Sequence, residues 1–177
     1  EYLGSLKGSR VTILGFGNIG QCVGKFLKPY GCVITGIKRT LVKGPDYFED
    51  GDRVLTVDKI SEVLETTDHL VLVLPGGVET QGLLTYELLS KLPANSYVYN
   101  VGRGNVYEEQ DLVAILQEDK IAGAYLDVFD AEPLSEKSLL WQLDNVLIQP
   151  HISAASPQYL ELFIEELAGE INNPKKN

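Results

Sequence analysis

Short apolar segments alternate with segments of helical periodicity along nearly the whole chain. The apolar segments are rich in Val, Ile and Leu, and seven have the length of a strand: residues 10–14, 32–37, a weak one near Val54, 70–74, 97–101, 122–128 and 146–148. Strands of this continuous apolar kind are typical of a parallel sheet that is buried on both faces, and the intervening helices are typical of βαβ units. The pattern therefore predicts the α/β class, with a doubly wound parallel sheet of about seven strands and helices on both faces.

The helical segments carry apolar residues at intervals of three and four, which predicts one apolar face on each helix. The clearest sets are Ile19, Val23, Phe26 and Leu27; Ile60, Val63 and Leu64; and Leu160, Phe163, Ile164 and Leu167. Residues able to cap a helix start are Asp58, Thr85 and Ser156, the last followed by Pro157. Pro93 cannot continue the helix before it. We expect residues 1–171 to form one domain, followed by a polar tail at residues 172–177.

Composition and charge narrow the class of partner. The 177 residues are 44% hydrophobic and 23% charged, as in ordinary globular proteins. The formal net charge is −10, so no overall field attracts nucleic acid or an anionic membrane. A small metabolite is the expected partner. No apolar run reaches about 18 residues and no leader pattern is visible, which predicts a cytoplasmic protein.

The two cysteines, Cys22 and Cys32, lie in different apolar segments and form no CxxC pair or Cys/His cluster. We expect both to be buried thiols, and no metal site is predicted.

The segment Gly15-Phe16-Gly17-Asn18-Ile19-Gly20 has the GxGxxG spacing and lies between the first strand and the first helix. There Gly15 permits the sharp turn, Gly17 lets the backbone approach a pyrophosphate, and Gly20 allows close packing of the helix. The N–H groups near Asn18 and Ile19 would face the phosphates. A glycine cluster can also be a simple tight turn, but its place between a strand and a helix favours a Rossmann-type dinucleotide-binding domain.

The end of the second strand bears on which dinucleotide is bound. An acid at this point accepts hydrogen bonds from the ribose diol of NAD, but no Asp or Glu occurs between positions 1 and 46. The strand ends instead in Lys38-Arg39-Thr40, whose charges and hydroxyl suit a 2′-phosphate. This favours NADP over NAD, although Lys38 and Arg39 could instead be solvated loop charges.

Three further segments follow predicted strands, where ligands bind in an open α/β sheet. They are Val101-Gly102-Arg103-Gly104, Asp127-Val128-Phe129-Asp130-Ala131-Glu132-Pro133 and Gln149-Pro150-His151-Ile152-Ser153. Each is weak alone. Together with the Gly-rich turn and with Leu74-Pro75 after the fourth strand, their order and spacing closely resemble the D-2-hydroxyacid dehydrogenase family, in its nucleotide-binding domain. The resemblance runs from about Leu6 to Gly169.

The resemblance implies an oxidoreductase that transfers a hydride between NAD(P)H and a small 2-oxoacid or D-2-hydroxyacid. His151 would exchange a proton with the substrate oxygen, Glu132 would orient the imidazole, and Arg103 would bind the substrate carboxylate. Asp127 would lie near the nicotinamide carboxamide, unless it is a capping or core-edge acid. Other residues that would border the cofactor are Leu74, Pro75, Val101, His151 and Ala154.

The resemblance also implies a homodimer and a substrate domain, which is absent from this chain. The chain departs from the family at the turn of residues 75–80, Pro-Gly-Gly-Val-Glu-Thr, which is expected to be looser than the usual Pro-Leu-Thr form. Glyoxylate or hydroxypyruvate reduction is one activity prompted by the basic loop. The alternative from another class is a non-catalytic, dinucleotide-sensing binding protein. It would resemble the C-terminal-binding protein corepressors, which share this domain and residues equivalent to Arg103, Glu132 and His151.

Overall fold

The computed structural model describes residues 5–172, the side chain of Glu170 excepted. Seven strands are present: β1 (Arg10–Leu14), β2 (Val33–Lys38), β3 (Arg53–Thr56), β4 (His69–Leu72), β5 (Tyr97–Asn100), β6 (Gly123–Leu126) and β7 (Val146–Ile148). The α-helices are α1 (Asn18–Leu27), α2 (Ile60–Leu64), α3 (Tyr86–Leu89), α4 (Glu109–Gln117) and α5 (Tyr159–Asn172). Short 3₁₀ segments lie at Lys28–Tyr30, Val57–Lys59, Gly104–Val106 and Leu139–Gln142.

The strands form one sheet in the order β3-β2-β1-β4-β5-β6-β7, and every neighbouring pair is parallel. Strands β2 and β3 therefore lie on one side of β1, and strands β4 to β7 lie on the other side. The connections after β1 and β4 consequently leave in opposite directions, which opens a crevice at the carboxyl ends of these two strands. The predicted fold class is confirmed.

Apolar side chains of the sheet alternate between two cores, because successive residues of a strand point to opposite faces. The smaller core lies against α1 and contains Val11 and Ile13. The larger contains Leu14 and Leu72, together with Ile60, Val63 and Leu64 of α2 as predicted. Burial on both faces explains why these strands read as continuous apolar runs.

The predicted apolar face of α1 is only partly correct. Ile19 and Phe26 are 66% and 76% exposed, and the buried residues of the helix are Gly20 and Gly24. A Cβ on Gly20 would lie 2.5 Å from the carbonyl oxygen of Gly15, so the helix axis runs too close to the turn for a larger side chain. Gly20 and Gly24 therefore face the sheet together with Val23 and Leu27, which are partly buried against the smaller core, whereas Ile19 and Phe26 do not.

Helix α5 forms where the periodicity predicts it, but its apolar side chains do not pack into either core. Its large exposed apolar residues are Tyr159, Leu160, Leu162, Phe163, Ile164, Leu167 and Ile171. The helix runs to Asn172, one residue into the predicted tail, and residues 173–177 lie outside the described part of the chain.

Local predictions had mixed outcomes. Thr85 caps α3 as expected, with its side chain accepting a long hydrogen bond of 3.5 Å from the N–H of Leu88. Asp58 is not a cap, because it lies inside a 3₁₀ segment that begins one residue earlier. Cys32 is buried, whereas the prediction for Cys22 was wrong, since that thiol lies on the exposed side of α1.

Candidate active site

The Gly-rich turn has the geometry that its spacing predicts. Gly15 has φ +100°, a conformation that favours glycine, and a Cβ there would lie 2.6 Å from the carbonyl oxygen of Val73. A Cβ on Gly17 would instead meet nothing within 4 Å. The N–H groups of Gly15 and Phe16 both donate to the carbonyl of Ile37, at 3.1 and 3.0 Å, and hold the turn beside the end of β2.

The start of α1 suits an anion. The helix has ten residues, no side chain caps its amino end, and its first turn contains no acidic residue. Its first N–H groups, near Asn18 and Ile19, therefore have no intrahelical acceptor, and the residue before them, Gly17, adds no side chain. These features fit the pyrophosphate of a dinucleotide.

A cleft of about 460 Å³ lies at the carboxyl ends of β1, β2 and β4. Six of the predicted cofactor residues line it: Gly15, Gly17, Lys38, Arg39, Leu74 and Pro75. The cleft is also lined by Glu79, which the sequence analysis did not assign to the site and whose carboxylate pairs with Arg39 at 3.2 Å. Thr80 fixes the nearby turn, its hydroxyl lying 3.0 Å from the carbonyl oxygen of Pro75 and 3.1 Å from that of Gly77.

His151 and Glu132 form a direct pair. The Nδ1 atom of His151 lies 2.7 Å from Oε2 of Glu132, and Oε1 of Glu132 accepts a hydrogen bond of 3.0 Å from the N–H of Phe129. The hydrogen bonds from His151 and Phe129 together hold the pKa of Glu132 below its ordinary value. At neutral pH the carboxylate is therefore ionised, and Nδ1 carries the proton that joins the two side chains.

Asp127 supports the loop that carries His151. It is buried at the end of β6, and its two carboxylate oxygens accept the N–H groups of Ile152 and Ser153, at 2.8 and 2.9 Å. Burial alone would raise the pKa of Asp127, but the two backbone hydrogen bonds, a hydrogen bond from the side chain of Ser153 and the nearby His151 together lower the pKa. His151, the residue just before the two donors, has the left-handed φ of 57°. The possibility that Asp127 acts as a capping acid therefore agrees with these contacts.

Arg103 is exposed on a loop whose backbone is held by hydrogen bonds to the side chain of Asn100. The buried amide of Asn100 accepts from the N–H of Gly102 at 3.1 Å and donates to the carbonyl of Arg103 at 3.0 Å. Gly104 passes so close to the backbone of Phe129 that a Cβ would lie 1.9 Å from its carbonyl carbon. The stem of Arg103 lies against Gly76, and its positive charge helps to lower the pKa of Glu132. The three strand-end segments thus meet at one edge of the sheet.

A second cavity of about 350 Å³ is lined by both Glu132 and His151. Trp141, the single tryptophan of the chain, also lines it, and its Nε1 donates to the carbonyl of Ser135 at 3.0 Å. Trp141 was not predicted from the sequence, although a single tryptophan ten positions before a candidate histidine is a usable signal. The predicted residues that line neither cavity are Asn18, Ile19, Gly20, Thr40, Val101, Arg103, Asp127 and Ala154.

The order of the strands, the Gly-rich turn and the uncapped start of α1 are together typical of a dinucleotide-binding α/β domain. The chain matches the model of the D-isomer specific 2-hydroxyacid dehydrogenase, NAD binding domain family over residues 1–153, and it belongs to that family.

Individual relatives agree with this assignment. Glyoxylate/hydroxypyruvate reductase A of Klebsiella pneumoniae (strain 342) is 36% identical over 146 residues, which are 82% of this chain and 46% of that protein. The chain therefore spans about half the length of this curated relative. The structure of a probable 2-hydroxyacid dehydrogenase from Rhizobium etli CFN 42, in complex with NADP, has a TM-score of 0.83 and 30% identity, and covers 99% of this chain and 56% of its own. The structure of an NADPH-dependent glyoxylate/hydroxypyruvate reductase from Sinorhizobium meliloti has a TM-score of 0.76 and 30% identity. The match covers 90% of this chain and 81% of that structure's chain.

Residues 5–172 contain neither a candidate metal site nor a helix that could span a membrane. No group of three or more His, Cys, Asp or Glu side chains could hold a metal ion. No helix in this part of the chain is long and apolar enough to cross a membrane.

Proposed function

We propose that this chain is the cofactor domain of an oxidoreductase that interconverts a small 2-oxoacid and the corresponding D-2-hydroxyacid. The observation that carries the proposal is the 2.7 Å contact between His151 and Glu132, at the same sheet edge as the Gly-rich turn and the Arg103 loop. Relatives named glyoxylate/hydroxypyruvate reductase support an enzyme over a corepressor-like binding protein.

Three polar residues at this edge, His151, Glu132 and Arg103, have chemical tasks in the proposal. With Nδ1 of His151 bonded to Glu132, the doubly protonated imidazole gives its Nε2 proton to the keto oxygen during reduction, and the neutral imidazole takes that proton back on Nε2 during oxidation. Arg103 presents a permanently charged, planar group suited to the substrate carboxylate. When bound, the nicotinamide cofactor supplies or accepts the hydride.

The test of this mechanism is His151→Ala in the complete enzyme. We expect turnover of glyoxylate or hydroxypyruvate to fall by about 10²-fold or more, because the proton donor is lost. Cofactor affinity should change little, since His151 does not line the cofactor cleft. Unchanged turnover would remove His151 from the mechanism, and binding of cofactor without reduction of any small 2-oxoacid by the unmodified enzyme would contradict the proposal.

We infer further that the cofactor is NADP in preference to NAD. Lys38 and Arg39 line the cleft where an NAD-binding acid would stand, and two of the neighbouring structures are named for NADP or NADPH. Titration at fixed salt should give tighter binding of NADPH than of NADH, and Lys38→Asp or Arg39→Ala should narrow or reverse the difference. Equal affinities in the unmodified chain would contradict the preference.

We also propose that the complete enzyme is a homodimer and lies in the cytoplasm. The exposed apolar side chains of α1 and α5 offer surface for self-association. Analytical ultracentrifugation of the complete enzyme checks this part, and a monomer at micromolar concentration would contradict it.

A further inference from the structure

One ion pair joins two sides of the cofactor cleft. Nη1 of Arg39, just after β2, lies 3.2 Å from Oε1 of Glu79, in the turn that follows β4. Both side chains line the cleft, yet they are largely open to solvent, at 83% and 73% exposed. The neighbouring cation, Lys38, makes no ion pair within residues 5–172. The guanidinium of Arg39 is therefore already engaged by a carboxylate in the free protein.

Hydrogen bonds of Thr80 fix the backbone of the turn that carries Glu79. Thr80, the next residue, closes the turn through its hydroxyl and through its N–H, which donates to the carbonyl of Gly77 at 3.1 Å. A Cβ on Gly77 would lie 3.0 Å from Oε2 of Glu79, so the backbone passes close to the carboxylate. This turn is the one in which the chain departs from the usual Pro-Leu-Thr form.

We propose that Glu79 is a cofactor-selectivity residue that competes with the 2′-phosphate of NADP for Arg39. This inference rests on the proposed preference for NADP. Carboxylate and phosphate oxygens accept from the same in-plane N–H groups of a guanidinium, so a phosphate cannot use the Nη1 group while Glu79 holds it. The exposed pair is weak and yields to a phosphate, but the phosphate must first displace it.

The competition acts on one cofactor only. NADH has no 2′-phosphate, so it binds without displacing the carboxylate. NADPH loses part of the attraction of Arg39 to Glu79, and the two negative groups also repel each other. Glu79 thus lowers the preference for NADPH below the level that Lys38 and Arg39 alone would produce.

The test compares dissociation constants of Glu79→Gln and the unmodified chain for both cofactors. The amide keeps the size of the side chain but removes its charge. We expect NADPH to bind about threefold to tenfold more tightly, the scale of an exposed ion pair plus a like-charge contact, whereas the NADH constant stays within about twofold. Adenosine 2′,5′-bisphosphate should show the same gain and adenosine 5′-monophosphate should not, and added salt should reduce the gain.

The chain offers a matched control. Glu65 forms an exposed pair with Lys91 at 3.0 Å, and neither residue lines the cleft. Glu65→Gln makes the same change of net charge and should leave both constants unaltered. In an Arg39→Ala background the gain from Glu79→Gln should be largely lost, because the contested partner is gone. Thermal denaturation verifies that each variant is folded.

The outcomes separate this inference from the proposed function. If the unmodified chain prefers NADPH but Glu79→Gln binds it no more tightly, or no more tightly than Glu65→Gln does, the competition is refuted while the cofactor preference stands. A full gain that persists without Arg39 also refutes it. If the unmodified chain binds neither cofactor, the proposed function fails and the inference fails with it.

Discussion

Asp127 stabilises the loop that carries His151. Its buried carboxylate accepts the N–H groups of both residues that follow His151, whose φ is positive. An asparagine has one acceptor oxygen, so it would leave one of these N–H groups facing an NH₂ group. We therefore expect Asp127→Asn to lower the free energy of unfolding by about 1–3 kcal/mol and to speed hydrogen exchange at Ile152 and Ser153. Asp130→Asn, at an exposed position in the same segment, is the control.

The effect of Asp127 depends on pH in a defined direction. Its pKa is lowered in the folded state, so its stabilisation is complete above the ordinary aspartate pKa of about 3.9. It is lost as the pH falls through the lower pKa of the folded protein, where the carboxyl takes up a proton. Urea denaturation should therefore show the largest difference from Asp127→Asn at neutral pH and a shrinking difference in acid. A constant difference at every pH would contradict the assignment.

At the scale of elements, the turn between β1 and α1 uses two glycines for different reasons. Alanine at position 20 would gain about 1 kcal/mol of helix propensity, but its Cβ would lie 2.5 Å from the carbonyl oxygen of Gly15. We expect the steric clash to outweigh the gain in helix propensity, so Gly20→Ala should lower the free energy of unfolding by about 1–3 kcal/mol. Chemical denaturation measures the change.

Gly17→Ala is the contrasting variant, since a Cβ at that position meets nothing within 4 Å. The fold should keep its stability, whereas cofactor affinity should fall, because the methyl group occupies the space where a pyrophosphate would approach. Titration with NADPH beside thermal denaturation separates the two effects. Unaltered affinity in Gly17→Ala would indicate that the pyrophosphate lies elsewhere.

At the scale of the whole molecule, stability comes from the two cores of the sheet and not from α5. Phe163 is 52% exposed, whereas Leu72 is buried in the larger core. We expect Phe163→Ser to change the free energy of unfolding by less than about 0.5 kcal/mol, and Leu72→Ala to lower it by about 2–5 kcal/mol. Denaturation at low protein concentration, where self-association is weak, tests the pair. A large loss in Phe163→Ser would mean that α5 is docked in solution.

Much of the fold was predictable because its signals are local. Every predicted strand exists, since a buried parallel strand needs a short apolar run and the chain shows little else of that kind. The boundaries differ by up to two residues: β4 starts at His69 rather than residue 70 and ends two residues earlier than predicted. The N–H of Val73 still bonds to the carbonyl of Leu14, so the hydrogen-bond ladder fades gradually beyond the assigned end.

The candidate site was predictable where residues follow strand ends, and less so where side chains meet across the sheet. Strand ends are known once the strands are, and parallel strands bring their carboxyl ends to one edge. The partner of a given side chain depends on the path of each loop. Periodicity assigned Ile19 and Phe26 to the core, but the close approach of α1 through glycine exposed them.

By itself, the sequence determined the class of fold, the order of its elements and the Gly-rich turn, because apolar runs, helix periods and glycine spacing act within a few residues. Only the tertiary structure decided that Glu79 meets Arg39, 40 positions away, and that Asp127 holds the loop of His151. Such contacts arise when distant loops are brought to the same edge of the sheet, and no local pattern specifies which side chains will then lie within hydrogen-bond distance.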